Sequence, residues 1–184
     1  MKLGSKSKIN VLEKRIEQMT NLKTGFYNIS ELKKLKFKSL GKNVLISKNI
    51  NIVGEENISI GNNVRIDSFT NLICQKGKIS IGNFCHIASS CFILGTGGVI
   101  MEDFSGFAPG VKIFSSSDNY DGSSLTNPLV GDQFSKPIKK EIFIGKHVII
   151  GANSVVLPGV KIDEGAAVGA LSLVSKSLEK WNIY

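Results

Sequence analysis

Two histidines, one tryptophan, three cysteines and four prolines are all that 184 residues contain of these types. No stretch approaches the 18 or so consecutive apolar residues of a membrane-crossing helix, so none is expected. The opening segment MKLGSKSKINVLEKRIEQM is charged and lacks the apolar core of a secretory signal. Three cysteines, Cys74, Cys85 and Cys91, cannot all pair, and we expect reduced thiols in a cytoplasmic protein. The basic residues are scattered, with no aromatic platform interleaved among them, which argues against nucleic acid as the partner. What the chain does have is a net charge of +8 and 42% hydrophobic residues. The first suits an anionic partner such as a phosphate-bearing cofactor or a nucleotide sugar. The second is enough for a folded core.

An internal repeat organises the chain. The segments LGKNVLI (40–46), IGNNVRI (60–66), IGNFCHI (81–87), MEDFSGF (101–107) and IGKHVII (144–150) align. Each opens on an apolar residue and reaches another six positions on. Steps of six continue through Ile46 and Ile52, Ile66 and Leu72, Ile87 and Ile93, and Phe107 and Ile113. The series is cleanest in Ile144, Ile150, Val156, Ile162, Val168 and Val174. No helix has a period of six. Short strands separated by turns do, and three such strands make one triangular coil of a solenoid whose stacked coils bury the stepped residues. Gly and Asn at the corners accept left-handed backbone angles. The expected organisation is a helical segment over 1–38, a solenoid over 39–178 with a polar excursion at 114–141, and a short C-terminal end at 179–184. In the first segment Ile9, Leu12, Ile16 and Met19 fall at helical spacing. A second short helix, ISELKKLKF (29–37), is capped by Asn28 or Ser30. A long polar excursion from a compact solenoid is usually functional.

Strand alternation sorts the candidate residues. Cys85 and Cys91 lie two before inward positions and point into the core, whereas His86 points out, so the three do not converge on a zinc ion. In register with His86 come Arg65 one coil below and Gly106 one coil above. Asp67, Ala88 and Ala108 follow along the same wall. Arg65 favours the neutral imidazole, the form that accepts a proton, and Asp67 is within diagonal reach to orient the ring. The same spacing also fits an exposed surface histidine. His147 falls at a corner, where Asn43 and Asn63 sit in other coils, and is expected to be exposed.

The repeated [LIV]-G-x-x-x-x pattern over about 40–178 resembles the hexapeptide acyltransferases, which fold as a left-handed parallel β-helix. The segment IIGANSVVLPGVKIDEGAAVGALSLVSKSL (149–178) is similar to the closing coils of the galactoside and maltose acetyltransferase group. NVRID, CHIA, SDNYDG and LTNP resemble a subgroup associated with surface-polysaccharide acetylation. The resemblance implies an all-β solenoid, acetyl-CoA as co-substrate, and a homotrimer in which a neighbour's long loop closes each site. It implies coenzyme A contacts at Ala152, Ala170, Ser172, Ser175 and Lys176, the last meeting phosphate. The γ-class carbonic anhydrases share this solenoid but need three histidines for their metal, so no metal is expected here.

The expected activity is transfer of an acetyl group to a sugar hydroxyl in a surface-polysaccharide precursor. His86 is the base, Asp67 or Asp118 orients it, and Arg65, Asn119 and Tyr120 contact the acceptor. Family members carry a His-Pro in the long loop where this chain reads Ser117, Asp118, Asn119, Tyr120. Either His86 replaces that histidine, or Asp118 takes part, or the acceptor needs no strong base, as a deprotonated amine would not. The last option defines an alternative, an N-acetyltransferase acting on an amino nucleotide sugar. A non-catalytic scaffold is the third reading.

Overall fold

The computed structural model describes residues 25–127, 129–131 and 133–184. The chain winds as a left-handed parallel β-helix whose three walls are six-stranded parallel sheets. The first wall stacks Ser39–Leu40, Ile58–Ile60, Ile79–Ile81, Val99–Met101, Ile142–Ile144 and Lys161–Ile162. The second stacks Leu45–Ile46, Arg65–Ile66, His86–Ile87, Gly106–Phe107, Ile149–Ile150 and Ala167–Val168. The third stacks Asn51–Val53, Asn71–Ile73, Phe92–Leu94, Lys112–Phe114, Val155–Val156 and Leu173–Val174. Bridges Ile162↔Leu178 and Ala167↔Ile183 begin a seventh coil. The helical spacing noted for Ile9 to Met19 lies outside the described residues.

The six-residue step is the core. Ile46, Ile66, Ile87, Phe107, Ile150 and Val168 form one buried column, and Leu72, Ile93, Ile113 and Val156 belong to another. A fully buried isoleucine contributes about 1.5–3 kcal/mol of transfer free energy, so repetition rather than any one contact holds the coils. Close stacking also explains the glycine after four of the five opening apolar residues. A Cβ on Gly61 would lie 2.6 Å from the Gly82 carbonyl oxygen in the next coil. The first corner column, between the first and second walls, is left-handed throughout: Asn43, Asn63, Phe84, Phe104, His147 and Gly165 all have positive φ.

Two departures from the repeat frame the rest. The helix Ile29–Lys34 is capped by Asn28, whose side chain accepts from the Glu31 N–H while Glu31 reaches back to the Asn28 N–H, a capping box. The long excursion leaves the third wall through Ser116–Ser117 and returns antiparallel to it through Ile138–Lys139. The solenoid then resumes in register, Val99 facing Ile142.

Candidate active site

Alternation fixes which side chains of the second wall face outward. Ile87 is fully buried, so its neighbour His86 projects away, with its side chain 53% exposed. Arg65 pairs with His86 one coil below and Gly106 one coil above. Gly106 carries no side chain, and the Ile149 Cδ1 from the coil above comes within 3.4 Å of where its Cβ would stand. His86 Nε2 lies 2.9 Å from Asp67 Oδ2, and Arg65 Nε donates to Asp67 Oδ1 at 2.7 Å. A carboxylate has no proton to give, so in the neutral ring Nε2 carries the hydrogen and Nδ1 keeps its lone pair. Burial pushes the Asp67 carboxyl up, but the hydrogen bonds from His86 and Arg65 outweigh it and hold the group below its ordinary value of 3.8. Asp67 thus stays ionised, fixes the tautomer and stabilises an imidazolium if one forms. Arg65 spends its charge on Asp67 rather than on the imidazole, and its guanidinium lies over the Phe26 ring at 5.5 Å.

The loop builds a second cluster on a different wall. A cleft of about 710 Å³ opens at the root of the excursion. Its floor is apolar and outward-facing: Leu94 and Phe114 from the third wall, with Val155, Leu157 and Pro158 from the coil above. Its rim carries Asp118, Tyr120 and Lys140, and Ser175 closes the upper end. Gly97 belongs here because a Cβ would collide with the Ser115 carbonyl and the Lys140 backbone, where the two loop ends pass.

The anticipated residues therefore divide. Arg65, Asp67 and His86 meet on the second wall, and Asp118, Tyr120 and Ser175 meet in the cleft. Asn119 is turned into its own loop, accepting from the Asp121 N–H at 3.1 Å and donating to Ser123 Oγ at 3.1 Å. Ala152 and Ala170 sit at the corner between the second and third walls, where the Leu171 N–H donates to the Ala152 carbonyl at 2.8 Å. The Ser172 hydroxyl donates to the Gly169 carbonyl at 2.9 Å, which closes that corner. Lys176 is exposed. Cys85 and Cys91 are buried away from His86, as alternation requires. Among the described residues no group of three metal-binding side chains occurs, and no helix is long and apolar enough to cross a membrane. Sequence reasoning missed Leu94, Phe114, Lys140 and Leu157. The available signal was apolar residues at outward positions of the third wall, where a lone solenoid wall has no use for them.

Comparison with known proteins gives a consistent picture. The family model described as bacterial transferase hexapeptide (six repeats) matches residues 141–176. The chain is 44% identical over 153 residues to an Escherichia coli dTDP-4-amino-4,6-dideoxy-D-glucose acyltransferase, covering 83% of this chain and 80% of that one. The crystal structure of AntD, an N-acyltransferase from Bacillus cereus, in complex with dTDP and 3-hydroxybutyryl-CoA, superimposes with a TM-score of 0.82 at 44% identity. That match covers 87% of this chain and 84% of AntD. A maltose O-acetyltransferase from Clostridium difficile 630, at 20% identity and a TM-score of 0.57 over 92% of this chain and 79% of its own, shares the fold alone. These relatives correct the expected acceptor. The two relatives at 44% identity are an acyltransferase of a dTDP-linked amino sugar and an N-acyltransferase, so the expectation of an O-acetyltransferase working on a surface-polysaccharide hydroxyl does not stand, and the alternative of an amino nucleotide sugar is favoured.

Proposed function

Because the chain belongs to the hexapeptide-repeat acyltransferases, we propose that it moves an acyl group from acyl-coenzyme A to the amino group of a dTDP-linked 4-amino-4,6-dideoxy sugar. The observation that carries this reading is the 44% identity, over four-fifths or more of both chains, to an acyltransferase of that acceptor. The site agrees with it. The loop residues lining the cleft offer a carboxylate, Asp118, and no imidazole. A carboxylate suits an ammonium that must be held and then lose a proton.

The step is an acyl transfer. The neutral amine attacks the thioester carbonyl, the C–S bond breaks, and the nitrogen gives up a proton as the amide forms; the thiolate leaves and is protonated. His86 accepts the proton at Nδ1, and Asp67 and Arg65 hold its ring. Asp118 positions the amino group, and Tyr120 and Ser175 line the path of the acyl donor, with Lys176 at its phosphate end. Holding donor and acceptor together supplies much of the rate, and the base adds about 10²–10⁴-fold. His86 and Asp118 face outward from different walls of one prism, so they share a site only between copies. This supports the homotrimer. Both substrates are water-soluble and the three cysteines are free thiols, which supports a cytoplasmic location.

The test is release of free thiol from acetyl-CoA and 3-hydroxybutyryl-CoA with dTDP-4-amino-4,6-dideoxyglucose, against the same nucleotide sugar carrying a hydroxyl at C4. Turnover confined to the amine is expected. Turnover with the hydroxyl sugar and not with the amine overturns the reading.

A further inference from the structure

The net charge of +8 belongs almost wholly to one end of the solenoid. Residues 1–48 hold 12 of the 23 Lys and Arg but only 3 of the 15 Asp and Glu, a net +9, whereas residues 49–184 hold 11 and 12, a net −1. Basic residues occur along the whole chain; it is the acidic ones that the first quarter lacks. The described part of that stretch forms the base of the prism. Its strands Ser39–Leu40 and Leu45–Ile46 stand at one end of their walls, and the helix Ile29–Lys34 packs on that end through the buried Leu32. Lys33, Lys34, Lys36, Lys38 and Lys42 are exposed there, and none pairs with a carboxylate among the described residues. Glu31 neutralises none of them, because Lys48 Nζ and the Asn28 N–H hold it, each at 2.8 Å. A groove of about 740 Å³ opens among these lysines. Leu32, Phe37 and Leu40 lie along it, Lys33, Lys36 and Lys42 border it, and no Asp or Glu lines it. Ile29, at the same groove, is 74% exposed. Lysines at the open end of a solenoid also deter end-to-end stacking. That role asks for charge alone, and not for an apolar groove and an exposed isoleucine among the charges.

We propose that the base of the prism docks on an anionic lipid surface, its ammonium groups on the headgroup phosphates and Ile29 at the edge of the acyl region. Cations bordering an apolar groove are complementary to an amphiphile with a negative head. Clustered basic side chains beside an apolar one hold a protein at such a surface. The residue type separates a bilayer from an acidic protein. All six basic residues of 25–48 are Lys and none is Arg. Lysine is a hydrated point charge on a flexible stem and is depleted at protein interfaces, where the forked guanidinium of Arg is enriched. Residues 1–24 are the other occupant to consider for the groove. They carry six basic side chains against two acidic ones, so charge opposes that fit and instead adds to the attraction of an anionic surface. Docking leaves the chemistry open, because the base is an end of the prism whereas His86 and the cleft lie on its walls.

Flotation of the full chain with vesicles reads this directly. Binding is expected to vesicles of phosphatidylglycerol and phosphatidylcholine and not to phosphatidylcholine alone. It should be lost at about 1 M salt, where the Debye length falls to about 3 Å. A Lys33→Gln/Lys34→Gln/Lys36→Gln variant should bind at least about tenfold more weakly. Lys76→Gln/Lys146→Gln/Lys180→Gln removes the same charge from exposed sites away from the base and should change binding less than about threefold. Thermal unfolding checks that both variants fold. An environment-sensitive fluorophore on Ile29→Cys should report an apolar setting only once anionic vesicles are added; the three native thiols are buried and escape the label. A chain that binds neither vesicle, or two triple variants that weaken binding equally, overturns the proposal. So does a probe already shielded before vesicles are added, which assigns the groove to residues 1–24 or to a second copy. Capture by polyglutamate without binding to vesicles assigns the base to an acidic protein and overturns it as well.

Discussion

The second and third walls of the prism share coil pitch, register and buried columns, and differ in what they present outward. On the second, Arg65, Asp67 and His86 are knitted by bonds of 2.7 and 2.9 Å between strands paired above and below. On the third, an apolar floor lies under a loop whose polar groups, Asp118, Tyr120 and Lys140, ring an open space of about 710 Å³. One wall holds an oriented proton acceptor without a cavity. The other holds a cavity and a carboxylate without an imidazole. Acyl transfer needs room for the thioester and a group to take the proton, so the division itself argues for a site assembled from two copies.

The sharpest way to break this comparison is to remove the imidazole. His86→Asn leaves the buried column intact and is expected to lower kcat/KM for the amino sugar by about 10²–10⁴-fold, with only a small fall in thermal midpoint from the lost bond to Asp67. A loss under about fivefold would mean that the cleft performs the chemistry alone. Next comes Asp118→Asn, which keeps size and removes the charge that holds an ammonium. Here we expect about 10- to 100-fold, mostly in KM for the acceptor, with KM for acyl-CoA unmoved. An equal rise in both Michaelis constants would point to a cleft that has collapsed.

The two walls were also unequally legible in the sequence. The second wall is regular, and the six-residue step placed Arg65 below and Gly106 above His86, as the strand pairs have it. Alternation likewise separated His86 from Cys85 and Cys91. The reach of Asp67 to the ring was foreseeable, but its capture of Arg65 was not, because a long side chain chooses among neighbours by geometry that spacing does not carry. The loop follows no repeat. Asp118 and Tyr120 were marked only by lying in it, and Asn119 turns away into a local Asx turn. The corner serine Ser172 bonds to its own turn for the same reason. The main reading of the acceptor failed because the missing loop histidine was weighed first as a gap for His86 to fill; the amine acceptor drawn from the same gap as the alternative is the one the relatives favour.

Asp67→Asn sharpens the second wall. The amide has one acceptor oxygen for two donors, so with Arg65 Nε–H on it the ring faces an NH2 that favours the other tautomer, and about a tenfold drop in kcat is expected with KM held. Stability supplies an independent readout. The Asp67 carboxyl titrates below its ordinary value of 3.8 in the folded chain. Its contribution is therefore complete above that value and is lost as pH falls through the lower, folded one. The wild type should be more stable than Asp67→Asn near neutrality, by a margin that shrinks below about pH 4. A margin independent of pH down to the acid limit would show that the carboxylate does not hold His86 and Arg65 in solution.

The smallest expected effect concerns the far end of the cleft. Lys176 follows Ser175 on the last complete coil and is exposed, so any phosphate it meets remains in water. Exposed ion pairs contribute about 0.2–1 kcal/mol, which sets a rise of up to about fivefold in KM for acyl-CoA on Lys176→Ala. Screening gives the effect its signature: it should fade as salt is raised, because the Debye length falls to about 3 Å at 1 M. It should also be absent with an acyl-pantetheine donor that carries no nucleotide phosphate. A rise in KM that persists at high salt, or that appears equally with the truncated donor, would assign Lys176 to packing of the final coil and remove it from the donor's path.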